Sequence, residues 1–438
     1  MRFSVSLLSS KHKSFTTRRH IQESEIPWIT RRHIWTGAMG MVCINIFMPT
    51  GLYFTYFALR YMSKAHIGIL SSVVSMAVVF QLLSSLIERR YGGRKYPWFV
   101  LVGVSRLALL PFLLFPGTTE STLAPILIVL ISFSSAAFVN LALPLWTSWV
   151  YGTIPERKAG IFWAIRERGV LTLTLVVMLL LGLFMDRAPD RLMVVRGAFA
   201  LGIILGIMDI FLHVGIPEPP SMKTKKASFF QELQLPLRNA HFRNWVIVVS
   251  FWTFSVSISG VFSVAYMLED LALENFFINT LLIMVLPTLG AILFLRLWGK
   301  TTDSIGPRPV LLICHAFWAS VPMWYMLAPR AARIISIPWP VIVPWFIVGA
   351  FVIGSFQVAR QKVSTALAPP EYRTVFVAVL TVASMVAGGI GALMGSFLVG
   401  SFGIQRCFLV SLICRVGGVF PFAFIALAPP RGGSQANL

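Results

Sequence analysis

Apolar runs, each close to membrane-spanning length, recur twelve times along the chain. They cover 34–59, 67–87, 97–115, 123–147, 162–185, 192–214, 245–267, 277–295, 310–327, 338–359, 375–399 and 404–428, numbered here as spans 1 to 12. An α-helix rises 1.5 Å per residue, so about 20 residues cross a hydrocarbon layer of ~30 Å. No water there can satisfy a stray peptide group, so such runs must close their own hydrogen bonds as helices. The pattern predicts an all-α membrane protein with twelve transmembrane helices.

Composition excludes a soluble enzyme. Hydrophobic residues make up 57% of 438 positions and charged residues only 12%, whereas soluble domains carry ~25% charged residues. The net charge of +21 would suit nucleic acid, but its distribution reads as membrane topology. Of 37 Lys and Arg, 27 fall in the first 32 residues, in the C-terminal tail, and in the loops after spans 2, 4, 6, 8 and 10 with the start of span 5 (Arg166, Arg168). Six lie in the opposite loops (Arg60, Lys64, Arg187, Arg191, Arg330, Arg333), and Arg106, Arg196, Arg406 and Arg415 lie within spans. This bias puts both termini in the cytoplasm, consistent with an even number of crossings of a plasma (inner) membrane. The basic N-terminal stretch lacks the apolar core of a signal peptide and is expected to stay as a tail attracted to anionic lipid. Cys43, Cys314, Cys407 and Cys414 all fall in spans, with neither metal spacing nor a disulfide framework. No catalytic group, metal or cofactor site is expected, and the chain is not read as an enzyme.

The chain is built twice. Glu88, after span 2, and Asp303, after span 8, are 215 residues apart, as are Pro155-Glu156 and Pro370-Glu371. The expected organisation is a basic tail (1–32), a six-helix bundle (33–214), a cytoplasmic linker (215–241), a second bundle (242–428) and a short tail (429–438). Two duplicated bundles leave a cavity at their interface where a solute can bind near the midplane.

The stretch Gly299-Lys-Thr-Thr-Asp303-Ser-Ile-Gly306-Pro-Arg308 resembles the cytoplasmic signature of the major facilitator superfamily, G-x-x-x-D-R/K-x-G-R-R/K. The first-half copy, from Ser84 through Glu88 to Arg94 and Lys95, is similar but has Ser for the first Gly, Glu for Asp and a longer loop. The resemblance implies two pseudo-symmetric six-helix bundles and a latch. In that latch Glu88 and Asp303 face helix starts near Gly160 and Val375, where free amides and the macrodipole favour a carboxylate. Gly299 allows close helix approach, Gly306 belongs to the same motif, and Arg94 and Arg308 complete the charge network. Opening the cytoplasmic side breaks such a latch.

The resemblance also assigns spans 1, 4, 7 and 10 to the cavity. Span 7 then offers Trp252, Ser255, Ser259 and Tyr266 on one helical face. Span 1 offers Asn45, Tyr53 and Tyr56, span 4 Asn140, and span 10 Gln357. Polar groups in lipid are costly unless paired or wet, so these residues either line the cavity or bond between helices. Arg166, at the start of span 5, could meet an anionic solute. Arg106 and Arg415 fall on supporting helices, where partners or snorkelling are expected. Asp209 and His213, four apart on span 6, form a local pair or a proton relay.

The reading is a monomeric transporter in the lipid bilayer, moving a small-molecule organic solute by alternating access, with the coupling ion open. The rivals are a non-transporting scaffold or receptor of the same fold, and a lipid transporter. Asp303→Ala is expected to impair transport while leaving insertion intact, and normal uptake kinetics in that variant would reject the latch.

Overall fold

The structure is a computed structural model that describes residues 22–115, 123–219, 229–335, 339–369 and 372–424. Among these residues every regular element is a helix. Ten segments are long and apolar enough to cross a membrane. They are helix 2 (Lys64–Tyr91), helix 3 (Lys95–Leu114), helix 4 (Ala124–Thr153), helix 5 (Lys158–Arg187) and helix 6 (Arg191–His213). In the second half they are helix 7 (Ala240–Glu269), helix 8 (Phe276–Ser304), helix 9 (Pro307–Ala331), helix 11 (Val375–Phe402) and helix 12 (Ile404–Phe424). The two remaining predicted spans are helical as well, and a short helix, Phe229–Arg238, precedes helix 7. Helix 1 comes in two pieces, Ile26–Ile46 and Leu52–Ala58, and helix 10 runs Trp339–Leu367. Helix 1 starts well ahead of the apolar run at 34. Pro27 suits a first turn, and the polar residues 30–33 extend the helix at no cost in unpaired backbone.

Two breaks interrupt otherwise apolar runs. In helix 1 the chain turns between Phe47 and Gly51, where Pro49 has no N–H to give and the Gly51 N–H returns to the Met48 carbonyl at 2.8 Å. In helix 7 the helix stops at Gly260 and resumes at Ser263. Phe47 and Phe262 are 215 residues apart, so both breaks fall at the same place in the repeat. Helix 8 is also irregular, passing through a π-helical turn at Leu281–Val285.

The chain divides into two compact units, one of Met1–Lys225 with Val261–Leu281, the other of Lys226–Gly260 with Leu282–Leu438. The boundary therefore differs from the repeat boundary, because the tip joining helices 7 and 8 goes with the first unit. That unit has an aromatic core at the helix 1 break, where Phe47 stacks on Phe199 at 4.8 Å and Phe54 and Phe57 meet Phe112 edge-on. The second unit is held by close backbone approaches. A Cβ on Gly391 of helix 11 would lie 2.3 Å from the Phe254 carbonyl oxygen of helix 7. One on Gly290 of helix 8 would lie 2.2 Å from the Ala350 Cβ of helix 10. Small residues here give van der Waals contact that lipid cannot replace.

Gly391→Val should cost about 1–3 kcal/mol by overpacking and lower the temperature at which the detergent-solubilised protein leaves its monodisperse peak. Gly417→Ala, with open space around its Cα, should leave that temperature unchanged.

Candidate functional site

Polar side chains in the first unit collect at three levels. At the end nearest the linker, the signature residues form a charged bracket. Tyr91 ends helix 2, and Gly92 follows at φ 64°, a left-handed turn that returns its N–H to the Glu88 carbonyl. The turn swings Arg94 back, so that its Nε donates to Glu88 Oε1 at 2.7 Å and its Nη1 to the Ser148 carbonyl of helix 4 at 3.2 Å. The Arg94 backbone N–H donates to Glu218 Oε1 at 2.7 Å. Glu218 was legible in the sequence only as part of a proline-rich linker. In the second unit Gly306, at φ 86°, starts helix 9, and Lys362 of helix 10 donates to Asp303 at 2.7 Å. Each signature carboxylate is thus held by a cation of its own unit. A Cβ on Gly299 would meet nothing within 4 Å, so the close helix approach expected there is not made, and Arg308 is half-buried.

In the middle level, Asn140 accepts from Gln81 Nε2 at 2.8 Å and donates to the Ala136 carbonyl. Gln81 sits in a 3-10 stretch of helix 2, Ala77–Leu83, whose altered period turns it toward helix 4. Asn45 is half-buried and bonds the Met41 carbonyl of its own helix at 2.8 Å. Arg166 is buried between the rings of Trp146 and Trp163, 5.0 and 5.4 Å from their centroids, and pairs with Glu167. It lies beside Gly37, whose missing side chain makes room for the guanidinium.

The stripe on helix 7 does not form one face of an open cavity. Trp252, Ser255 and Ser259 are buried within the second unit. Trp252 packs on His315 at 4.3 Å, and helix 12 bonds the rest. Ser411 donates to the Ser255 carbonyl, Cys407 Sγ to the Ile258 carbonyl, and Arg415 to the Val256 carbonyl and to Ser259 Oγ. Tyr266, beyond the break, is buried in the first unit. The side chain of Gln357 lies outside the described residues.

The third level, at the end of the unit remote from the linker, was hardly visible in the sequence. The carboxylate of Asp186, at the end of helix 5, accepts from the backbone N–H groups of Phe276 and Phe277 at 2.7 and 2.9 Å. These are free donors in the first turn of helix 8, where the macrodipole favours negative charge. One turn earlier on helix 5, Gly182 lets the two backbones meet, since a Cβ there would lie 3.0 Å from the Phe277 Cα. The Tyr53 hydroxyl donates to the Met178 carbonyl at 2.7 Å and lies 3.0 Å from Thr280 Oγ1. Tyr56 packs edge-on to Phe276 and accepts from Arg60. Lys64 pairs with Asp270 at 2.7 Å, and Arg191 with Glu274 at 2.7 Å. Together these form a clasp that ties the tip between helices 7 and 8 to helices 1, 2, 5 and 6. Tyr53 and Tyr56, expected in the cavity, serve this clasp.

Removing the carboxylate with Asp186→Ala deprives two amides of charge-assisted acceptors worth about 1.5–3 kcal/mol each. Hydrogen exchange at Phe276 and Phe277 should then quicken at least ~10-fold, while Gly391 and its neighbours in helix 11 keep their protection. Unchanged exchange at the two amides would show that the clasp bonds carry no weight.

Residues 253–437 match the family model described as Major Facilitator Superfamily. No curated protein matches the sequence. Among solved structures, the nucleoside transporter NupG superposes with a TM-score of 0.70 at 13% identity, covering 90% of this chain and 98% of that one. A bacterial homologue of the human lysosomal transporter Spinster, inward-facing and unoccupied, gives 0.67 at 12%, covering 92% and 97%. The xylose transporter XylE from E. coli, partially occluded and inward open, gives 0.64 at 15%, covering 94% and 100%. The second half of the chain is thus similar in sequence to the major facilitator superfamily, and the fold is similar to these transporters over most of the chain.

Proposed function

We propose that the protein is a carrier that moves a small organic solute across a membrane by alternating access, with both termini in the cytoplasm. The observation that carries this reading is the clasp together with the break in helix 7. A short piece of the second repeat, bounded by the break after Gly260 and the π-helical turn at Leu281–Val285, is held on the first unit by side chains. Hydrogen bonds to free amides, two ion pairs and a tyrosine hydroxyl can be released without unfolding a helix, which an outer gate requires. Irregular helix at such points supplies a hinge.

On this reading the solute meets the half-buried polar groups of the middle level, Asn45 and the Gln81–Asn140 pair. Glu88, Arg94, Gly299, Asp303, Gly306 and Arg308 govern the cytoplasmic side. The first cargo to try are a nucleoside and a pentose, after the names of the structural neighbours. The protein acts as a monomer, since all parts of this scheme lie in one chain.

Proteoliposomes holding the purified protein should accumulate a labelled nucleoside or pentose saturably, above protein-free vesicles. Asp186→Ala should lower the exchange rate ~10-fold or more, from the bond energies given above. If neither these probes nor a broad metabolite panel is exchanged by a folded preparation, the scaffold reading takes over.

A further inference from the structure

A second group of polar side chains lies buried where helices 1, 3, 4, 5 and 6 of the first unit meet. Its centre is His213, in the last turn of helix 6 and 2% exposed. The Trp146 indole N–H of helix 4 points at His213 Nε2, 3.1 Å away. An indole nitrogen can only donate, so Nε2 must carry the lone pair and Nδ1 the proton. The Nδ1–H faces the Asp209 carbonyl at 3.0 Å, and the Asp209 carboxylate stands 2.8 Å from Nδ1. That Oδ1 has no well-aligned hydrogen bond, so its contact with the imidazole is one of charge and proximity. Gly40 of helix 1 leaves it room, since a Cβ there would lie 2.9 Å from Asp209 Oδ2.

His33 of helix 1 lies beside this pair, its ring 5.6 Å from that of His213 and edge-on to it. It is fully buried, and neither of its nitrogens has a partner. A neutral imidazole has one donor and one acceptor, and leaving a buried polar group unmet costs about 1–3 kcal/mol. Packing alone would be better served by an apolar ring. Arg106 Nε and Arg166 Nε, both on buried guanidiniums at the edge of the cluster, are also unpartnered. Unused hydrogen-bonding capacity is concentrated around two histidines and one carboxylate.

We infer that His213, Asp209 and His33 form a proton-binding site that links proton uptake to the position of helix 4. The proton adds to the His213 Nε2 lone pair, forming an N–H bond and an imidazolium whose charge Asp209 balances. Two N–H groups, those of Nε2 and of Trp146, then face each other. Trp146 loses its acceptor and must move. It lies two residues beyond Pro144, the proline inside helix 4, and its ring also covers Arg166 of helix 5. Binding one proton at the end of helix 6 thus frees helices 4 and 5 from their present anchor. His33, with both nitrogens open, relays the proton between His213 and its surroundings. The charged and titratable groups around His213 are Asp209 on its own helix, and Arg32, His33 and Cys43 on helix 1. Lys95 and Arg106 face it from helix 3 and Arg166, paired with Glu167, from helix 5. Arg32 and Lys95 are committed to the carbonyls of Leu212, Val214 and Ile216. The site deepens the transport reading by naming the coupling ion, but its test needs no cargo.

Three indoles report on the site, since Trp98 and Trp149 also pack on His213, at 4.6 and 5.8 Å. The full chain in lipid nanodiscs would be titrated from about pH 8.5 to about pH 5, the range in which histidine changes charge, following tryptophan emission. An emission step is expected in the wild type and its loss in His213→Gln. Asp209→Asn should remove the step from this range, because the imidazolium loses its counter-charge. Trp146→Phe should shrink the step, because the indole that the proton displaces is gone. A step that survives His213→Gln, or no step at all in the folded wild type, overturns the proposal. If His213→Gln does not fold, a step of full size in Trp146→Phe does the same. Solute exchange with no emission step would remove the proton site and leave the carrier reading intact. An emission step without exchange of any solute would do the reverse.

Discussion

A peptide group left unpaired in hydrocarbon costs several kcal/mol, and this constraint organises both units. Unbroken helix satisfies it along most of each crossing. Wherever a helix stops inside the layer, donors or acceptors must come from elsewhere. Helix 7 stops at Gly260, which leaves the carbonyls of its last turns without amides further along the chain. Helix 12 supplies one substitute, Cys407 Sγ donating to the Ile258 carbonyl, while Ser411 and Arg415 add second bonds to the carbonyls of Ser255 and Val256 just before the end. At the other side of the tip, helix 8 begins with free amides, and Asp186 supplies the acceptor. Cys407 and Asp186 thus meet backbone groups that the interruptions leave open.

The same reasoning accounts for Arg415. A guanidinium in the middle of a span is expensive, and this one is met by neutral oxygens, of Ser411, Ser259, Trp318 and Val256. Its position at the C-terminal end of the inner piece of helix 7 places it where the macrodipole is negative. Arg32 and Lys95 do likewise at the end of helix 6, taking the carbonyls of Leu212, Val214 and Ile216. Part of the strong positive balance of this sequence thus stabilises interrupted helices, beyond any part it plays in setting orientation.

Most crossings could be read from the sequence, because a long apolar run in lipid has one stable solution. The repeat could be read as well, since Glu88 and Asp303 keep their 215-residue spacing. The breaks could not be placed. Pro49 hints at the one in helix 1, but in helix 7 the residues Gly260, Val261 and Phe262 are all compatible with continuous helix. Facing was harder still. The spacing of Trp252, Ser255 and Ser259 identifies a common side of helix 7 and leaves open whether that side meets water or helix 12. Their partners, Ser411 and Arg415, are more than 150 residues away. Asp186 reads as an ordinary loop carboxylate until the start of helix 8 is seen against it. His33 stands just ahead of an apolar run and gives no sign of being buried.

Duplication and compactness divide this chain in different places, and the difference has a physical origin. By its place in the sequence the tip of helices 7 and 8 falls in the second of the two expected repeats. The contacts that now hold it come from Asp186, Gly182, Tyr53, Lys64 and Arg191, all residues of the first. A tip that was continuous, regular helix at both ends could not be compact with one unit while its continuation packed in the other. Irregular backbone on either side removes that conflict. The break after Gly260 and the π-helical turn at Leu281–Val285 are therefore as much a part of the clasp as the side chains that close it, and a substitution that regularised either would act on the clasp without touching one of its bonds.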